Sequence, residues 1–195
     1  MTRRHVLQAA AAVVLVAGGG WAVSRALDRL TGVQPASEPA ATAPASPTAQ
    51  GVAHITATLF YGSSDGQTLV AVRREVPLAE GVVPQGREIL TAQLQPAPEG
   101  YVSVIPEGTA LRAFYITERG DAFVDVSGDM SSRHAGGSTT ELLTVYAIVN
   151  AVTSNLPTIR RVQILIDGRE ADTLAGHVDL RRPLAPDPAL VREAQ

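Results

Sequence analysis

The chain has 195 residues, 45% of them apolar, and a formal net charge of −3, so it can form one ordinary domain with an appended segment. The negative charge argues against nucleic acid as the main partner, because phosphate binding requires an excess of basic residues. All sixteen basic residues are arginine, and cysteine is absent. The lack of cysteine excludes disulfides, thiolate catalysis, cysteine-ligated zinc and a lipid anchor on cysteine within this sequence.

The N-terminal segment predicts a membrane anchor or an export signal within residues 1–30. Residues 6–24 carry no charge, and arginines flank them on both sides. As a helix this segment is about 28 Å long, which is close to the thickness of the bilayer hydrocarbon. We expect one pass through the cytoplasmic membrane, with the domain on the extracytoplasmic side. The alternative is a signal cleaved after residues 22–24, which makes the protein secreted or periplasmic.

Residues 31–53 form a predicted linker. The segment consists mainly of Pro, Ala, Ser and Thr, and Glu38 is its only charged residue. It cannot bury enough surface to offset the loss of conformational entropy, so we expect it to be disordered. A flexible coil of this length spans about 25 to 30 Å.

The first half of the predicted domain contains a hairpin and a helix. Residues 55–61 alternate in the pattern of a strand, and residues 68–76 return after a Gly- and Ser-rich turn. A short helix is predicted over residues 84–94, with Pro84 in its first turn. A second hairpin is predicted over residues 111–117 and 121–127.

The second half is predicted to be a helix, a strand and a tight turn. Ser138 and Glu141 form an S-x-x-E capping box, which predicts a helix that begins at about Thr139. Residues 162–166 have the β-branched content of a strand. Asp167-Gly168 then tolerates the positive φ angles of a type I′ turn, which would return residues 171–174 beside the strand. Apolar residues at spacings of three and four give the helix one apolar face: Leu142, Val145, Tyr146, Val149 and Val152, widened by Leu143 and Ile148.

These elements predict an α+β fold over residues 54–185, in the order β-β-α-β-β-α-β. We expect a mixed β-sheet of about five strands, with the two helices packed on one face. Residues 186–195 are predicted to be a C-terminal tail.

Five blocks of the sequence resemble, in order, those of the GerMN domain, which is named after the sporulation and spore-germination protein GerM. The resemblance covers roughly residues 55 to 185. The blocks are the opening hairpin with Leu59-Phe60-Tyr61, the I-P-E-G-T turn at 105–109, the V-D-V-S strand at 124–127, the acidic helix start followed by V-Q-I-L-I-D-G at 162–168, and the G-H-V-D-L-x-x-P-L close at 176–184. The resemblance implies a fold similar to the ring-building modules of secretion and sporulation channels, which stack edge to edge.

A catalytic or metal site is not predicted. Nucleophiles, bases and orienting groups are present, but no local signature such as G-x-S-x-G connects them. The residues considered are Ser131, Ser132, His134, His177, Asp125 and Asp129. The loop that contains Asp125, Ser127 and Asp129 lacks the ligand spacing of an EF-hand, and its side chains are expected to bond backbone N–H groups.

Three residues are candidate partner contacts. Arg160 and Arg161 precede the apolar strand and could meet an acidic partner, although a charged strand entrance is usually a solvated edge. His177 could gate a contact near neutral pH, and the alternative is that it only hydrogen-bonds its loop.

The predicted function is that of a non-catalytic, membrane-tethered assembly module of the bacterial cell envelope, without a cofactor. Its expected partner is another envelope protein or a second copy, bound at sheet edges. The alternatives are a cell-wall or small-ligand binding module and an envelope hydrolase.

Overall fold

The computed structural model describes residues 52–192. The predicted membrane anchor and the predicted linker up to residue 51 lie outside the described residues. Within the described part, no helix is long and apolar enough to cross a bilayer. The elements in chain order are β1 (His54–Gly62), β2 (Leu69–Pro77), α1 (Val82–Gln93), β3 (Leu111–Ile116), β4 (Asp121–Val126), α2 (Asp129–Ser132), α3 (Ser138–Asn155), β5 (Arg161–Ile166), β6 (Arg169–Glu170), a 3-10 turn (Pro188–Leu190) and β7 (Val191–Arg192).

The strands form two sheets. β1, β2 and β7 make a three-stranded sheet, and β3, β4, β5 and β6 make a four-stranded sheet in that order. In the second sheet β4 and β5 are parallel, and the other neighbours are antiparallel. The mixed α+β fold is confirmed, but the prediction of a single sheet is wrong. The reason is that side chains at the ends of two helices bond the outer edge of β1, so no strand of the second hairpin can pair there.

The helices α1 and α3 pack against each other and contact both sheets. α1 contacts β1, β2 and β3, and α3 contacts β1 and β5. The predicted apolar face of α3 is too narrow, because Ala147 and Ala151 are fully buried, whereas Leu142 and Tyr146 are only partly buried. A helix that is covered on most sides needs apolar residues around most of its circumference.

The predicted hairpins and the tight turn after β5 are confirmed. β1 pairs with β2 and β3 pairs with β4 in antiparallel registers. Asp167 has a φ of 51° and Gly168 a φ of 75°, which are the positive values that a type I′ turn requires. The return strand, however, is shorter than predicted and ends at Glu170 instead of continuing over residues 171–174. The backbone N–H of Leu174 instead donates to Glu141 on α3.

Gly86 allows α1 to pack closely on β3. It is buried inside the helix, and a Cβ atom at this position would overlap the ring of Phe114. Phe114 is itself only 3% exposed, so its ring has little room to move. The glycine within the predicted helix therefore has a packing role that outweighs its poor helix propensity.

We predict that Gly86→Ala destabilises the protein by about 1–3 kcal/mol, because overpacking between α1 and β3 exceeds the gain in helix propensity. Urea denaturation followed by circular dichroism measures the change. Arg87→Ala, an exposed position on the same helix, is the control and should change the stability by less than about 0.5 kcal/mol. A Gly86→Ala variant that is as stable as the control would contradict the packing role.

Candidate interaction site

The side chain of Glu141 is fully buried and binds the loop of residues 174–178. Its Oε1 accepts hydrogen bonds from the backbone N–H groups of Leu174 and Val178, at 2.9 and 3.1 Å. Its Oε2 accepts from the backbone N–H of His177 at 2.9 Å and lies 3.0 Å from His177 Nδ1. One carboxylate in the first turn of α3 therefore binds three residues of a distant loop through four hydrogen bonds.

The predicted capping box is wrong. The residue that caps α3 is Gly137, with a φ of 91°, and no side chain bonds the N–H groups of the first turn. Ser138 is already the first helical residue, so it does not occupy the capping position. Glu141 instead points into the protein and accepts hydrogen bonds from the 174–178 loop.

The charge of Glu141 is stabilised by these donors. Removal of the carboxyl group from water raises its pKa, but the backbone N–H groups of the loop and the His177 ring outweigh this effect and lower the pKa from 4.5 to about 2. The carboxylate is thus ionised at neutral pH although it is buried. An ionised carboxylate can only accept hydrogen bonds, so the Nδ1 atom of His177 carries the proton that is donated to it. The Nε2 atom of the same ring is turned away from Glu141.

The structure places the three predicted contact residues at two separate ends of the second sheet. The side chain of His177 is 46% exposed beside the 174–178 loop. Arg160 and Arg161 lie at the start of β5, and Arg161 donates to both oxygens of Asp121 at 2.8 and 3.0 Å. Ser131, which follows β4, donates to Leu174 O, so the 174–178 loop lies near the opposite end of the sheet. The arginines and His177 are therefore not parts of one site.

The residues that were considered for catalysis are not brought together. Ser131 Oγ donates to a backbone carbonyl, and Ser132 is exposed. His134 Nδ1 accepts from Gly136 N at 2.9 Å, and its Nε2 lies 3.1 Å from Thr144 Oγ1. No serine hydroxyl is among the bonded partners of either His134 or His177 in residues 52–192.

The side chains of the acidic loop after β4 make hydrogen bonds and ion pairs that hold neighbouring segments together. Asp125 Oδ1 accepts from Gly168 N at 2.7 Å, and Ser127 Oγ accepts from Ala110 N at 3.0 Å. Arg112 lies between Asp125 and Asp167, at 3.4 and 3.6 Å. These contacts join the end of β4 to the turn after β5. Across the described residues there is no group of three side chains arranged to hold a metal ion.

A cleft of about 760 Å³ lies beside the start of α3. Residues 94–96, residues 103–109, residues 133–135 and Thr140 line it. At its mouth Arg133 donates to the Glu107 carbonyl at 3.2 Å. Its lining is a mixture of apolar and polar residues, with seven of the fourteen lining residues polar or charged.

The outer edge of β1 is closed by the last residues of two helices. Gln93, at the end of α1, accepts from Phe60 N at 2.9 Å and donates to Phe60 O at 2.7 Å. Asn155, at the end of α3, makes the same pair of bonds to Thr58 at 2.8 and 2.7 Å. Gly62 exchanges two further backbone bonds with a loop residue, Val102. Each amide side chain thus replaces one residue of a neighbouring strand.

The outer edge of the second sheet at β3 is different. β3 is the terminal strand, and within residues 52–192 no strand pairs with its outer side. Thr117 N donates to Asp121 O across the hairpin, so Tyr115 and Phe123 form the next hydrogen-bonded pair. The N–H and C=O groups of Phe114 and Ile116 therefore point away from β4. At the other side of this sheet, β5 is covered by β6 and by Leu184.

Part of the β2 edge is also open among the described residues. β7 covers Leu69 and Val70 only, and β2 continues to Pro77. This part carries Arg73, Glu75 and Pro77, and charged residues and proline are the usual protection of an edge against pairing. β3 has neither feature between residues 113 and 116.

The comparisons with known proteins identify the family. Residues 58–172, more than half of the chain, match the family described as Germane: Sporulation and spore germination. The chain therefore belongs to the Germane family, and the resemblance to GerMN domains is confirmed. No curated protein matches the chain.

Solved GerMN domains have the same fold. The tandem GerMN domains of the sporulation protein GerM from Bacillus subtilis are 18% identical, with a TM-score of 0.51, over 69% of this chain and 46% of that chain. The first GerMN domain of the same protein is 19% identical, with a TM-score of 0.50, over 68% and 96%. A protein from Clostridium perfringens is 24% identical, with a TM-score of 0.49, over 69% and 89%. The chain spans about half the length of the tandem structure, and at 18% and 19% identity the likeness to the GerM domains shows the fold alone.

Sequence reasoning missed the roles of Glu141, Gln93 and Asn155. Glu141 is an acidic residue beside a long apolar run, so a capping role and a buried role give the same local pattern. Gln93 and Asn155 each end a helix, a position where polar residues are ordinary. Only the fold shows that these three side chains face backbone groups of distant segments.

We predict that Glu141→Gln destabilises the protein by about 2–4 kcal/mol at pH 7. The amide nitrogen of the glutamine would face N–H groups of the loop, which now donate hydrogen bonds to the carboxylate. The folded pKa lies below the unfolded value. The contribution of the ionised carboxylate is therefore complete above about pH 4.5 and is lost as the pH falls towards 2. Urea denaturation between pH 7 and pH 2.5 measures both effects.

Glu107→Gln removes an exposed carboxylate and is the matched control. Its stability at neutral pH should stay within about 0.5 kcal/mol of the original protein. The difference between Glu141→Gln and the original protein should shrink as the pH falls below about 4.5. A difference that is small at pH 7, or that is constant over this range, would contradict the proposed charge stabilisation.

Proposed function

We propose that this chain is a non-catalytic module of the bacterial cell envelope that binds another protein at the outer edge of β3. The main support is the contrast between the edges of the fold. Amide side chains and a loop close β1, whereas β3 presents the N–H and C=O groups of Phe114 and Ile116 without a strand beside it in the described residues. An exposed sheet edge of this kind binds an extended segment by strand addition.

The proposal places the module outside the cytoplasm, tethered by the N-terminal segment. The support is the uncharged run at residues 6–24 between arginines and the Pro- and Ala-rich segment that follows it. Membership of the Germane family agrees with a role in the envelope. The described part supplies the binding surface, and the preceding segment would keep this surface near the membrane.

Arg160, Arg161 and His177 are proposed as secondary contacts with a partner. Arg160 and Arg161 are exposed at one end of β5. The bond of His177 to Glu141 turns its Nε2 away from Glu141, and this partly exposed ring can meet a hydrogen-bonding group of a partner. These residues are too far apart to bind one small ligand, but a protein surface can reach both ends of a six-residue strand, about 17 Å apart.

We predict that affinity capture of the full chain from solubilised membranes recovers a specific protein, identified by mass spectrometry. Ile116→Pro should reduce the recovery at least tenfold, because proline removes an outward N–H and obstructs pairing at the β3 edge. Glu75→Pro, at an outward position of the β2 edge, is the matched control and should retain the partner.

Circular dichroism of both variants establishes that they fold. Recovery of the same partner with Ile116→Pro would contradict binding at β3. A chain that captures neither another protein nor a second copy would contradict the proposed function itself.

A second candidate function, a cell-wall or small-ligand binding module, is favoured by the cleft beside α3. Its volume of about 760 Å³ lies within the range of ligand pockets. On this alternative, the full chain is retained on isolated peptidoglycan, and Ala135→Trp abolishes retention because the indole fills the cleft. Ala189→Trp, at an exposed site outside the cleft, should retain binding. Equal retention of the two variants, or no retention of the original chain, would reject this function.

A further inference from the structure

Most of the exposed large apolar side chains lie at one end of the domain. Within residues 52–192 there are six such side chains, and four of them belong to Val52, Leu78, Val82 and Val83, which are 63%, 52%, 42% and 38% exposed. We call these four residues the apolar patch. A concentration of exposed apolar surface marks a site that contacts a protein or a membrane.

Backbone and side-chain hydrogen bonds hold the patch in one place. Leu78 N donates to Ala53 O at 2.7 Å, which joins the loop after β2 to the start of the described chain. Gln85, which is buried in α1, accepts from Ala79 N at 2.9 Å and donates to Pro77 O at 3.1 Å. The first turn of α1 is thereby fixed to the same loop. The four apolar side chains therefore stand on a rigid surface.

This surface is suited to contact with lipid. The polar backbone groups of residues 77–79 that make the bonds above do not need water, and Pro84 has no N–H group to satisfy. Between residues 78 and 86, Glu80 is the only charged residue. Backbone groups that already have partners can enter an apolar environment at a low energetic cost.

We propose that the apolar patch inserts into the outer surface of the cytoplasmic membrane, between the lipid headgroups and the upper part of the acyl chains. This inference rests on the tether in the proposed function and not on the β3 edge. The described chain begins at Val52, which is part of the patch, and the predicted linker directly precedes it. The patch is thus the part of the domain to which the proposed tether is attached.

The tether makes a weak contact sufficient. A flexible linker that spans about 25 to 30 Å keeps the patch close to the bilayer at an effective concentration on the order of millimolar. Partial burial of four aliphatic side chains supplies a contact of this strength. The carboxylate of Glu80 gives the patch no attraction to anionic lipids. Insertion therefore depends on apolar area, so it should occur on zwitterionic phosphatidylcholine and persist at high salt.

Fluorescence from a single labelled cysteine tests the inference, because the chain has no cysteine of its own. The full chain with Val82→Cys is labelled with nitrobenzoxadiazole and reconstituted into phosphatidylcholine vesicles. The control is Val102→Cys, since Val102 is 45% exposed and lies beside Gly62, at the opposite end of β1. Lipids with a nitroxide on the acyl chain should quench the label at residue 82 about threefold more strongly than the label at residue 102.

A second variant tests whether the patch causes the quenching. Leu78→Glu combined with Val82→Cys should lower the quenching to the level of the Val102→Cys control, because a carboxylate in the patch opposes insertion. Leu78 is exposed, so circular dichroism should show that this variant folds. Equal quenching of the labels at residues 82 and 102 overturns the inference, and so does unchanged quenching after Leu78→Glu.

Two further results would also overturn lipid insertion. Emission from residue 82 that is shifted to shorter wavelength, but is not quenched by the nitroxide lipids, would show that protein covers the patch. Quenching that is lost at high salt would show that charge, and not apolar area, brings the domain to the membrane.

The outcome is distinguishable from the test of the proposed function. If the label at residue 82 is not quenched but a partner that depends on Ile116 is captured, the inference fails and the proposed function stands. If the label is quenched as expected but nothing is captured, the inference stands and binding at β3 fails. A full chain that does not float with the vesicles in a density gradient contradicts the tether, and with it the inference.

Discussion

The buried carboxylate of Glu141 connects the main helix to the last third of the chain. An ionised group inside a protein destabilises the fold by several kcal/mol unless it is hydrogen-bonded, and here four N–H donors offset this effect. All four belong to residues 174–178, which lie more than thirty residues further along the chain. The loop has no regular structure of its own, and this acceptor binds more of its N–H groups than any other side chain does. If the loop moved away, the charge would remain buried without a partner.

The position of this loop has consequences for the second sheet. The chain leaves β6 after two residues and reaches Glu141 instead of extending the sheet. It later returns so that Leu184 pairs with Val162 at the start of β5. The edge beyond β5 is therefore covered by a short strand and a loop. The ends of α1 and α3 close β1 in a comparable way, through Gln93 and Asn155. Side chains and loops thus occupy these edges, whereas within residues 52–192 no strand pairs with the outer side of β3 or with the outer side of β2 beyond Val70.

Much of the fold follows from local patterns in the sequence. Alternation predicted the two hairpins, the apolar run at residues 162–166 predicted β5, and Asp167-Gly168 predicted the turn, because each depends on residues that are close in the chain. The division into two sheets did not follow, because it depends on whether an amide at the end of a helix reaches a strand some thirty or ninety residues away. The role of Gly86 was not predictable for the same reason. Its low helix propensity can be read from the sequence, but its contact with Phe114, which is distant in the chain, cannot.

The functional surfaces could likewise be predicted only in part from the sequence. Composition and motifs predicted no catalytic centre, and the structure adds only that in residues 52–192 the hydrogen-bonded partners of His134 and His177 include no serine hydroxyl. The open edge at β3 could not be read from the sequence, because the residues of β3 resemble those of any half-buried strand. Its exposure shows only in the fold, where within residues 52–192 no strand pairs with the outer side of β3, while helix-end amides and loops cover the edges of β1 and β5.

The most direct test of this account is the ionisation of Glu141 in the folded protein. Carbon-13 NMR of the labelled side-chain carboxyl, followed as the pH is lowered, reports its protonation without relying on a change in stability. The account predicts that the carboxyl stays ionised far below its usual range and titrates with a pKa of about 2. A titration midpoint near 4.5 would show that the carboxylate is not held by the donors of the 174–178 loop and would contradict the account.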